Sequence, residues 1–397
     1  MIKLYTAFTT EIDDVEAAVR EIREQLKPDE NALKNTIGIV HFYPEFVETG
    51  VCQALMDALP FELVGCVSSY LSAGGEYSDI ALSVAMITSD EIRFSVRTLE
   101  DVKTKTRDHI NQEVIRLIGD LCAEAKPKMV IPFLSPLPQF SGDELVKAVN
   151  SLDDPFPLFG TVAFNMESTD HSSYVIGSGK ISTAFQFLAF YGDFEPGFYA
   201  TSSFDFEKSY GNVAEITDAV DCTLKSVNGM TALAYLKKQG LIGPDNSVSG
   251  ASTWTIPALL TYPNGAQVVR GFIGILEGTE FIISTGQMEV GTKIKFALLD
   301  GDKTLASAEG LIKELNAEKK NDVIAYSCAA RVWSLGSKFF AEAQKIADCA
   351  DQYMREHNIP FNYTVAYSGG EICPVFNDAG KLVNILHNYT LIACAFN

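Results

Sequence analysis

Residues 322–328 read Asp-Val-Ile-Ala-Tyr-Ser-Cys, and residues 361–367 read Phe-Asn-Tyr-Thr-Val-Ala-Tyr. Both are short apolar runs rich in β-branched and aromatic residues, which predicts two buried strands. Between them, residues 337–356 place apolar side chains at helical spacing, and Pro360 follows. A helix that connects two strands favours a parallel pair. This stretch therefore predicts a strand–helix–strand unit.

The same order occurs twice earlier in the chain. In each of the three units, a Gly-bearing turn or a polar loop leads to one more strand, which favours an antiparallel neighbour. We therefore expect an α/β protein, close to the α+β class, with mixed sheets covered by helices. The first two units comprise residues 36–42, 47–59 and 61–67, and residues 129–134, 142–152 and 157–165. The additional strands are predicted at 80–88, 181–191 and 382–396.

The chain is expected to divide into two halves. Its 397 residues are enough for two domains. Residues 192–211 contain Gly, Pro, Ser and charged residues without a clear period, as is typical of a boundary. We predict an N-terminal domain over residues 1–195 and a C-terminal domain over residues 205–397.

Composition excludes several classes of partner. The net charge of −20 argues against non-specific binding to nucleic acid or anionic lipid, since both need a surplus of cations. No apolar run reaches about 18 residues, so direct membrane insertion is not expected. The eight cysteines form no Cys-x-x-Cys pair, and the first ten residues do not resemble a signal peptide. We expect reduced thiols and a cytoplasmic location.

Common catalytic and cofactor motifs are missing from the sequence. Residues 177–182 carry two glycines of a dinucleotide fingerprint, but they precede a predicted strand where the fingerprint opens a helix. The chain has no Gly-x4-Gly-Lys phosphate loop, and its five histidines are scattered. We expect no cofactor and no metal ion.

Three segments in the C-terminal third identify a family. Residues 325–336 read Ala-Tyr-Ser-Cys-Ala-Ala-Arg-Val-Trp-Ser-Leu-Gly, residues 367–374 read Tyr-Ser-Gly-Gly-Glu-Ile-Cys-Pro, and residues 386–390 read Leu-His-Asn-Tyr-Thr. This set, in this order, resembles the C-terminal part of FIST domains (F-box and intracellular signal transduction proteins). The N-terminal half resembles the other part of that family through residues 63–69 and 157–160.

The resemblance implies a cytosolic sensory module rather than an enzyme. FIST domains are thought to bind small polar ligands, such as amino acids or related metabolites. They pass the signal to an output protein or domain: a histidine kinase, a cyclic-di-nucleotide enzyme or a chemotaxis receptor. Two alternatives remain open: a hydrolase-type enzyme, and an interaction scaffold that binds no ligand.

Arg331 and Glu371 are the sharpest ligand-binding candidates. Arg331 follows a predicted strand, where α/β folds place ligand groups, and its guanidinium suits a carboxylate. Glu371 follows Gly369 and Gly370 in a turn, where it would hold an ammonium group. Together the two residues would bind a zwitterion. The alternative for Arg331 is a structural ion pair, with Glu371 or with another acidic neighbour.

Six further residues belong to the predicted ligand site. Tyr367 and Trp333 would form apolar walls, with core packing as the alternative. His387 and Asn388 lie on the predicted last strand, where their side chains face opposite ways. Cys328 would pair with His387 if the protein were a hydrolase. The remaining member is Ser368.

Overall fold

The computed structural model describes residues 2–137, 139–165, 174–204, 210–243, 256–376 and 380–397. Their strands form four sheets and are numbered β1 to β26 in chain order. Sheet 1 has the order β1 (Lys3–Thr9), β6 (Leu82–Ser89), β2 (Asn35–Phe42), β3 (Glu62–Val67), β10 (Val175–Gly177) and β11 (Lys180–Ser182). Sheet 2 has the order β7 (Arg93–Leu99), β12 (Phe185–Tyr191), β8 (Met129–Leu134), β9 (Gly160–Val162), β24 (Glu371–Phe376) and β25 (Leu382–His387).

The other two sheets come mainly from the C-terminal half. Sheet 3 has the order β13 (Gly197–Ser202), β26 (Thr390–Ala395), β22 (Asp322–Cys328), β23 (Asn362–Ser368), β4 (Leu71–Ala73) and β5 (Glu76–Ser78). Sheet 4 has the order β18 (Gln267–Arg270), β17 (Ala258–Thr261), β21 (Lys293–Phe296), β14 (Tyr210–Val220), β15 (Thr223–Val227), β20 (Ile282–Ser284) and β19 (Phe272–Ile275), and β16 (Met230–Thr231) pairs with β15.

Helices cover these sheets. The α-helices of the described ranges are α1 (Val15–Leu26), α2 (Pro28–Asn31), α3 (Glu45–Glu48), α4 (Val51–Ala58), α5 (Arg107–Cys122), α6 (Gly142–Asn150), α7 (Ala232–Lys238), α8 (Gly301–Ala317), α9 (Ala329–Leu335) and α10 (Ala341–His357). Mixed sheets with helical layers confirm the predicted α/β class.

Sheets 1, 2 and 3 repeat one arrangement, so the chain contains three repeats. Each sheet begins with a lead strand (β1, β7 or β13), which pairs with the last strand of its repeat (β6, β12 or β26). A parallel pair joined through helices follows: β2 and β3, β8 and β9, or β22 and β23. The strand–helix–strand units predicted from the sequence are these three pairs.

The repeats exchange their hairpins in a ring. The hairpin β4–β5 of the first repeat joins sheet 3, where Leu71 pairs with Ala366. The hairpin β10–β11 of the second repeat joins sheet 1, and β24–β25 of the third repeat joins sheet 2. Each sheet of this ring is therefore completed by strands from another repeat.

The main core lies where the three sheets meet. Ile39, Ile131 and Ile324 come from equivalent strands of the three repeats and are buried together. At one end of this core, the centroid of the His41 ring lies 5.8 Å from that of Phe133 and 5.4 Å from that of Tyr326. Separate apolar layers fill the space between each sheet and its outer helices. The burial of apolar side chains on both faces explains why the central strands are continuous apolar runs.

Sheet 4 is an insertion in the third repeat. The chain leaves that repeat after β13 and returns at α8, which begins at Gly301. The inserted strands have their own apolar core, which includes Ile216, Leu260 and Ile294. This sheet packs over the carboxyl ends of β8 and β9.

The prediction of a single last strand over residues 382–396 is wrong. It is two strands in different sheets, because the chain turns at Asn388 and Tyr389, and Tyr389 has a φ of 58°. The first of them, β25, pairs with β24, and the second, β26, pairs with β22. His387 therefore ends a strand, and Asn388 lies in the connection.

The interval between residues 195 and 205, predicted as the boundary, contains β13, the first strand of the third repeat, and the division into two domains stays a prediction. All eight cysteines are free thiols. Within the described ranges, no helix has both the length and the apolar character needed to cross a bilayer.

Gly65→Ala is expected to lower the free energy of unfolding by about 3 kcal/mol or more. Gly65 has a φ of 155°, and a Cβ there would lie 1.8 Å from the Val40 carbonyl oxygen of the neighbouring strand. That oxygen belongs to the backbone and has no room to move. The measurement is equilibrium denaturant unfolding.

Gly119→Ala is the matched control. Gly119 is an exposed position in α5, and its added Cβ meets nothing within 4 Å. It is expected to stabilise the protein slightly, by about 0.5–1 kcal/mol. If Gly65→Ala behaved like Gly119→Ala, the close approach of β2 and β3 would be wrong.

Candidate functional site

A cavity of about 800 Å³ lies at the carboxyl end of the parallel pair β8 and β9. Its walls come from the β8–α6 loop, residues 162–165, the turn Gly369–Gly370, and residues 221–223 and 283–285 of sheet 4. Open α/β sheets bind ligands at the carboxyl ends of their strands. The volume is within the range of small-molecule sites.

Apolar side chains line much of the cavity. They come from sheet 2, from the β8–α6 loop and from sheet 4, so that a ligand body would contact all three. The largest are Leu134, Leu137, Phe140, Phe185, Ile283 and Leu386. Such walls favour a ligand with an apolar part.

Arg107, at the start of α5, lies at the rim between two carboxylates. Its Nε donates to Glu144 Oε1 at 2.5 Å, and its Nη1 lies 2.6 Å from Asp221 Oδ2. The hydrogen bond from Arg107 lowers the pKa of Asp221 below its usual range. Because Asp221 is half-exposed, this ion pair contributes little to stability. It does join α5 and α6 to sheet 4.

A second ion pair beside the cavity is buried. Arg270 of β18 is 1% exposed, and its Nη2 lies 2.9 Å from Asp143 Oδ1 at the start of α6. The other Asp143 oxygen accepts from the Gln287 backbone N–H at 2.7 Å. Arg270 also donates to the Leu386 carbonyl oxygen at 2.6 Å. A Cβ on Gly286 would come within 2.6 Å of Asp143 Oδ2, so glycine at this position lets sheet 4 approach α6 this closely.

The sequence itself accounts for the local structure at the start of α6. Ser141 precedes the helix, and its hydroxyl accepts from the Asp143 N–H, while Glu144 accepts from the Ser141 N–H at 2.9 Å. This capping box fixes the first turn of α6. Asp143 and Glu144 are thereby held towards Arg270 and Arg107.

Cys222 is a half-buried thiol in the cavity wall. Burial is the main cause that raises its pKa, to about 11, and the carboxylates of Asp143, Glu144 and Asp221 add to the rise. The thiol is therefore protonated at neutral pH.

Arg331 is buried in an ion pair with Glu342 of α10. Its Nε donates to Glu342 Oε1 at 2.9 Å, and Ser327 and Tyr367 donate to the other oxygen at 2.6 and 2.9 Å. Arg331 is 1% exposed, and Glu342 is fully buried. Arg331 Nη2 also donates to the Ser307 hydroxyl. The geometry favours the structural alternative for Arg331, although its partner is Glu342 and not Glu371. Direct ligand contact by Arg331 stays a prediction.

Glu371 lies behind the turn that lines the cavity. Its side chain is fully buried, and within the described residues neither oxygen makes a hydrogen bond of normal geometry. Burial raises the pKa of Glu371 well above its usual range, although the nearby Cys328, Ser368 and Arg331 oppose the rise. Burial therefore favours the neutral form of this carboxyl group over the charged form. Contact between Glu371 and a ligand ammonium group stays a prediction.

The surroundings of Cys328 oppose the thiolate form that a nucleophile needs. Burial, followed by the Glu371 carboxyl, raises the pKa of Cys328 well above its usual value. Burial lowers the pKa of His387 to about 4, and its Nε2 lies 3.2 Å from the Cys373 carbonyl oxygen. The hydrolase alternative receives no support from this geometry.

Ser368 and Asn388 contact residues of the cavity wall without lining the cavity themselves. The Ser368 hydroxyl accepts from the Thr161 hydroxyl and from the Gly370 N–H and donates to the Gly370 carbonyl oxygen, which fixes the Gly369–Gly370 turn. Asn388 accepts a hydrogen bond at 2.8 Å from Thr285, whose side chain lies in the wall.

Trp333 and Tyr367 lie in apolar clusters. Trp333 packs beside Cys328 and Tyr389 where sheet 4 meets the third repeat. Tyr367 is buried between sheet 3 and its helices. Both positions agree with the core-packing alternative.

The sequence analysis missed five charged residues around the cavity. The capping box 141–144 is a readable signal for the start of α6 and therefore for Asp143 and Glu144. Arg107, Asp221 and Arg270 carry no comparable pattern, because each acquires its role only when sheet 4 docks.

The chain matches the profiles of two domains from one family. The FIST N domain matches residues 36–230, and the FIST C domain matches residues 232–374. A comparison with curated proteins finds no match.

Proposed function

Because the chain belongs to the FIST family of signal-transduction sensory domains, we propose that it senses a small metabolite in the cavity between sheets 2 and 4. The ligand class is an amino acid or a related compound with a polar head and an apolar body. The observation that carries the proposal is a cavity of about 800 Å³ whose walls come from two separately packed sheets.

A ligand in this position would change how sheet 4 docks. Sheet 4 is held over sheet 2 by the Arg270–Asp143 and Arg107–Asp221 pairs, which flank the cavity. A ligand that contacts both sheets favours the docked state over more open ones, and this differential affinity is what a sensor requires. The output would be a kinase, a cyclic-di-nucleotide enzyme or a chemotaxis receptor that distinguishes the two states in the cytoplasm.

In this proposal, the residues predicted from the sequence position the cavity wall and do not line it. Ser368 fixes the Gly369–Gly370 turn, and Asn388 orients Thr285. Arg331 ties α9 to the start of α10 through Glu342, and Glu342 also accepts from Tyr367, which lies two residues before that turn. These are positioning roles, which the ligand experiments below separate from direct contact.

Ligand binding is expected to protect Cys222 from alkylation. A panel of amino acids and their amine derivatives is first screened for thermal stabilisation, since a ligand at one hundred times its Kd stabilises by about 2.7 kcal/mol. With a stabilising compound, N-ethylmaleimide labelling of Cys222 should slow at least about tenfold, because binding removes the open state. Peptide mass spectrometry measures the rate.

Cys122 is the internal control for this experiment. It is partly exposed at the far end of α5, about 22 Å along the helix axis from Arg107. Its labelling rate should not change. A compound that stabilises the protein but leaves Cys222 as reactive as before would place the ligand site elsewhere.

A further inference from the structure

Among the residues that the structure describes, the charged cluster beside the cavity has an excess of negative charge. Three carboxylates, on Asp143, Glu144 and Asp221, face two guanidinium groups, on Arg107 and Arg270. The cluster therefore carries one net negative charge. In a partly enclosed site, the interaction of that charge with a ligand is weakened less than at an open surface.

No cation in the described part of the wall is available for an anionic ligand. Arg107 is the one lining residue there with a positive charge, and carboxylates occupy both of its sides. Arg270 is buried behind the wall against Asp143. Phosphate and carboxylate groups are normally held by arginine or lysine, so an anionic ligand would have to break one of these pairs.

The ionisation of the Cys222 thiol responds to the electrostatic potential at the cavity wall. The thiolate form is opposed by all three carboxylates, and the guanidinium of Arg270 favours it. An anion placed at the wall would meet the same repulsion, and a cation would be attracted.

We propose that the cavity selects a ligand of net positive charge with an apolar body, such as a primary amine or a basic amino-acid derivative. The proposal rests on the sensory function above. The cation would lie towards Asp221 and Glu144, and the body against Phe140, Phe185 and Ile283. Acidic and phosphorylated metabolites are rejected.

Three compounds with one carbon skeleton test this selection: phenethylamine, phenylalanine and 3-phenylpropionate. They place a cation, a zwitterion and an anion beside the same aromatic ring. Calorimetry is expected to give affinities in that order, with the amine at least about tenfold tighter than the carboxylate at about 0.01 M salt. The ratio should shrink at about 0.15 M salt, because salt screens the charge.

Asp221→Asn is expected to remove most of the selectivity. Asp221 is half-exposed and has a φ of 51°, a conformation that asparagine tolerates, so the fold is preserved. The substitution neutralises the cluster and frees one side of Arg107. The ratio of amine to carboxylate affinity should fall about tenfold. Asp218→Asn, an exposed position on β14 outside the wall, should leave the ratio unchanged.

The possible outcomes separate this inference from the proposed function. If 3-phenylpropionate bound as tightly as phenethylamine and protected Cys222, the cavity would remain a sensor site but the charge selection would be wrong. If Asp218→Asn changed the ratio as much as Asp221→Asn, the local cluster would not be its cause. If neither these three compounds nor any member of the amino-acid panel stabilised the protein or protected Cys222, both proposals would be contradicted. If a neutral or acidic member of the panel did so while these three did not, only the charge selection would be wrong.

Discussion

Replacing Glu342 with glutamine is expected to lower the free energy of unfolding by about 3–5 kcal/mol, the usual effect of removing one partner of a buried ion pair. Glu342 is fully buried and accepts hydrogen bonds from Arg331, Ser327 and Tyr367. The substitution leaves the Arg331 guanidinium buried without a counter-charge. Chemical denaturation measures the loss.

Two further variants show whether the unpaired charge is the cause. Glu356→Gln lies on the same helix but is exposed, and it should change stability by less than about 0.5 kcal/mol. The double variant Arg331→Met with Glu342→Leu removes both charges and should recover part of the loss. If the double variant were less stable than Glu342→Gln alone, unpaired charge would not explain the effect.

The double variant also tests the predicted ligand role of Arg331. A compound that stabilises the wild-type protein should bind the folded double variant with similar affinity if Arg331 only positions the turn. A loss of binding with the fold intact would support direct contact between Arg331 and the ligand.

A chain cut after residue 195 is expected to give two fragments that do not fold separately. Fragment 1–195 lacks the hairpin β24–β25 of sheet 2, and its own hairpin β4–β5 has no sheet to join. It also exposes the central core that Tyr326, Ile324 and Ile392 cover in the intact protein. Circular dichroism and binding of a hydrophobic dye should show a loosely packed fragment.

Mixing the fragments provides the control. Fragments 1–195 and 196–397 together contain every strand, so mixing should restore a cooperative unfolding transition. If fragment 1–195 alone unfolded cooperatively, the predicted boundary would separate two independent domains despite the exchanged hairpins.

The local parts of the fold could be predicted because they depend on short-range patterns. The parallel pair β22 and β23 was readable from two apolar runs separated by a helix. The exchange of hairpins was not, since β4 pairs with a strand almost three hundred residues away and no local pattern specifies that partner. The break at Tyr389 was missed for a related reason: residues on both sides of it have strand character, and only their separation into two sheets requires the turn.

The two Gly-Gly-Glu turns illustrate the limits of sequence similarity. Residues 74–76 and 369–371 both read Gly-Gly-Glu, as they would if the turn had been duplicated. Gly74 and Gly75 lie inside the hairpin β4–β5, whereas Gly369 and Gly370 lie between β23 and β24, before the equivalent hairpin. Their positions in the repeat differ, so the likeness is a coincidence.

Only the parts of the candidate site that are formed by consecutive residues could be predicted. The turn Gly369–Gly370 was predicted at a strand end, and it lines the cavity. The sequence analysis considered an ion pair for Arg331, with an acidic neighbour as its partner. It did not identify Glu342 as that partner, because neighbouring positions of the same helix, such as Ala343 and Ile346, are apolar. The cavity combines segments that are far apart in sequence, which explains why its charged residues were missed.

The ring of exchanged hairpins also has a consequence for synthesis of the protein. Leu71 leaves the ribosome 295 residues before Ala366, the residue with which it pairs in the finished sheet. At about 5–20 residues per second, the first hairpin waits roughly 15–60 s for its partner strand. During that time its edges are open to pairing with other nascent chains.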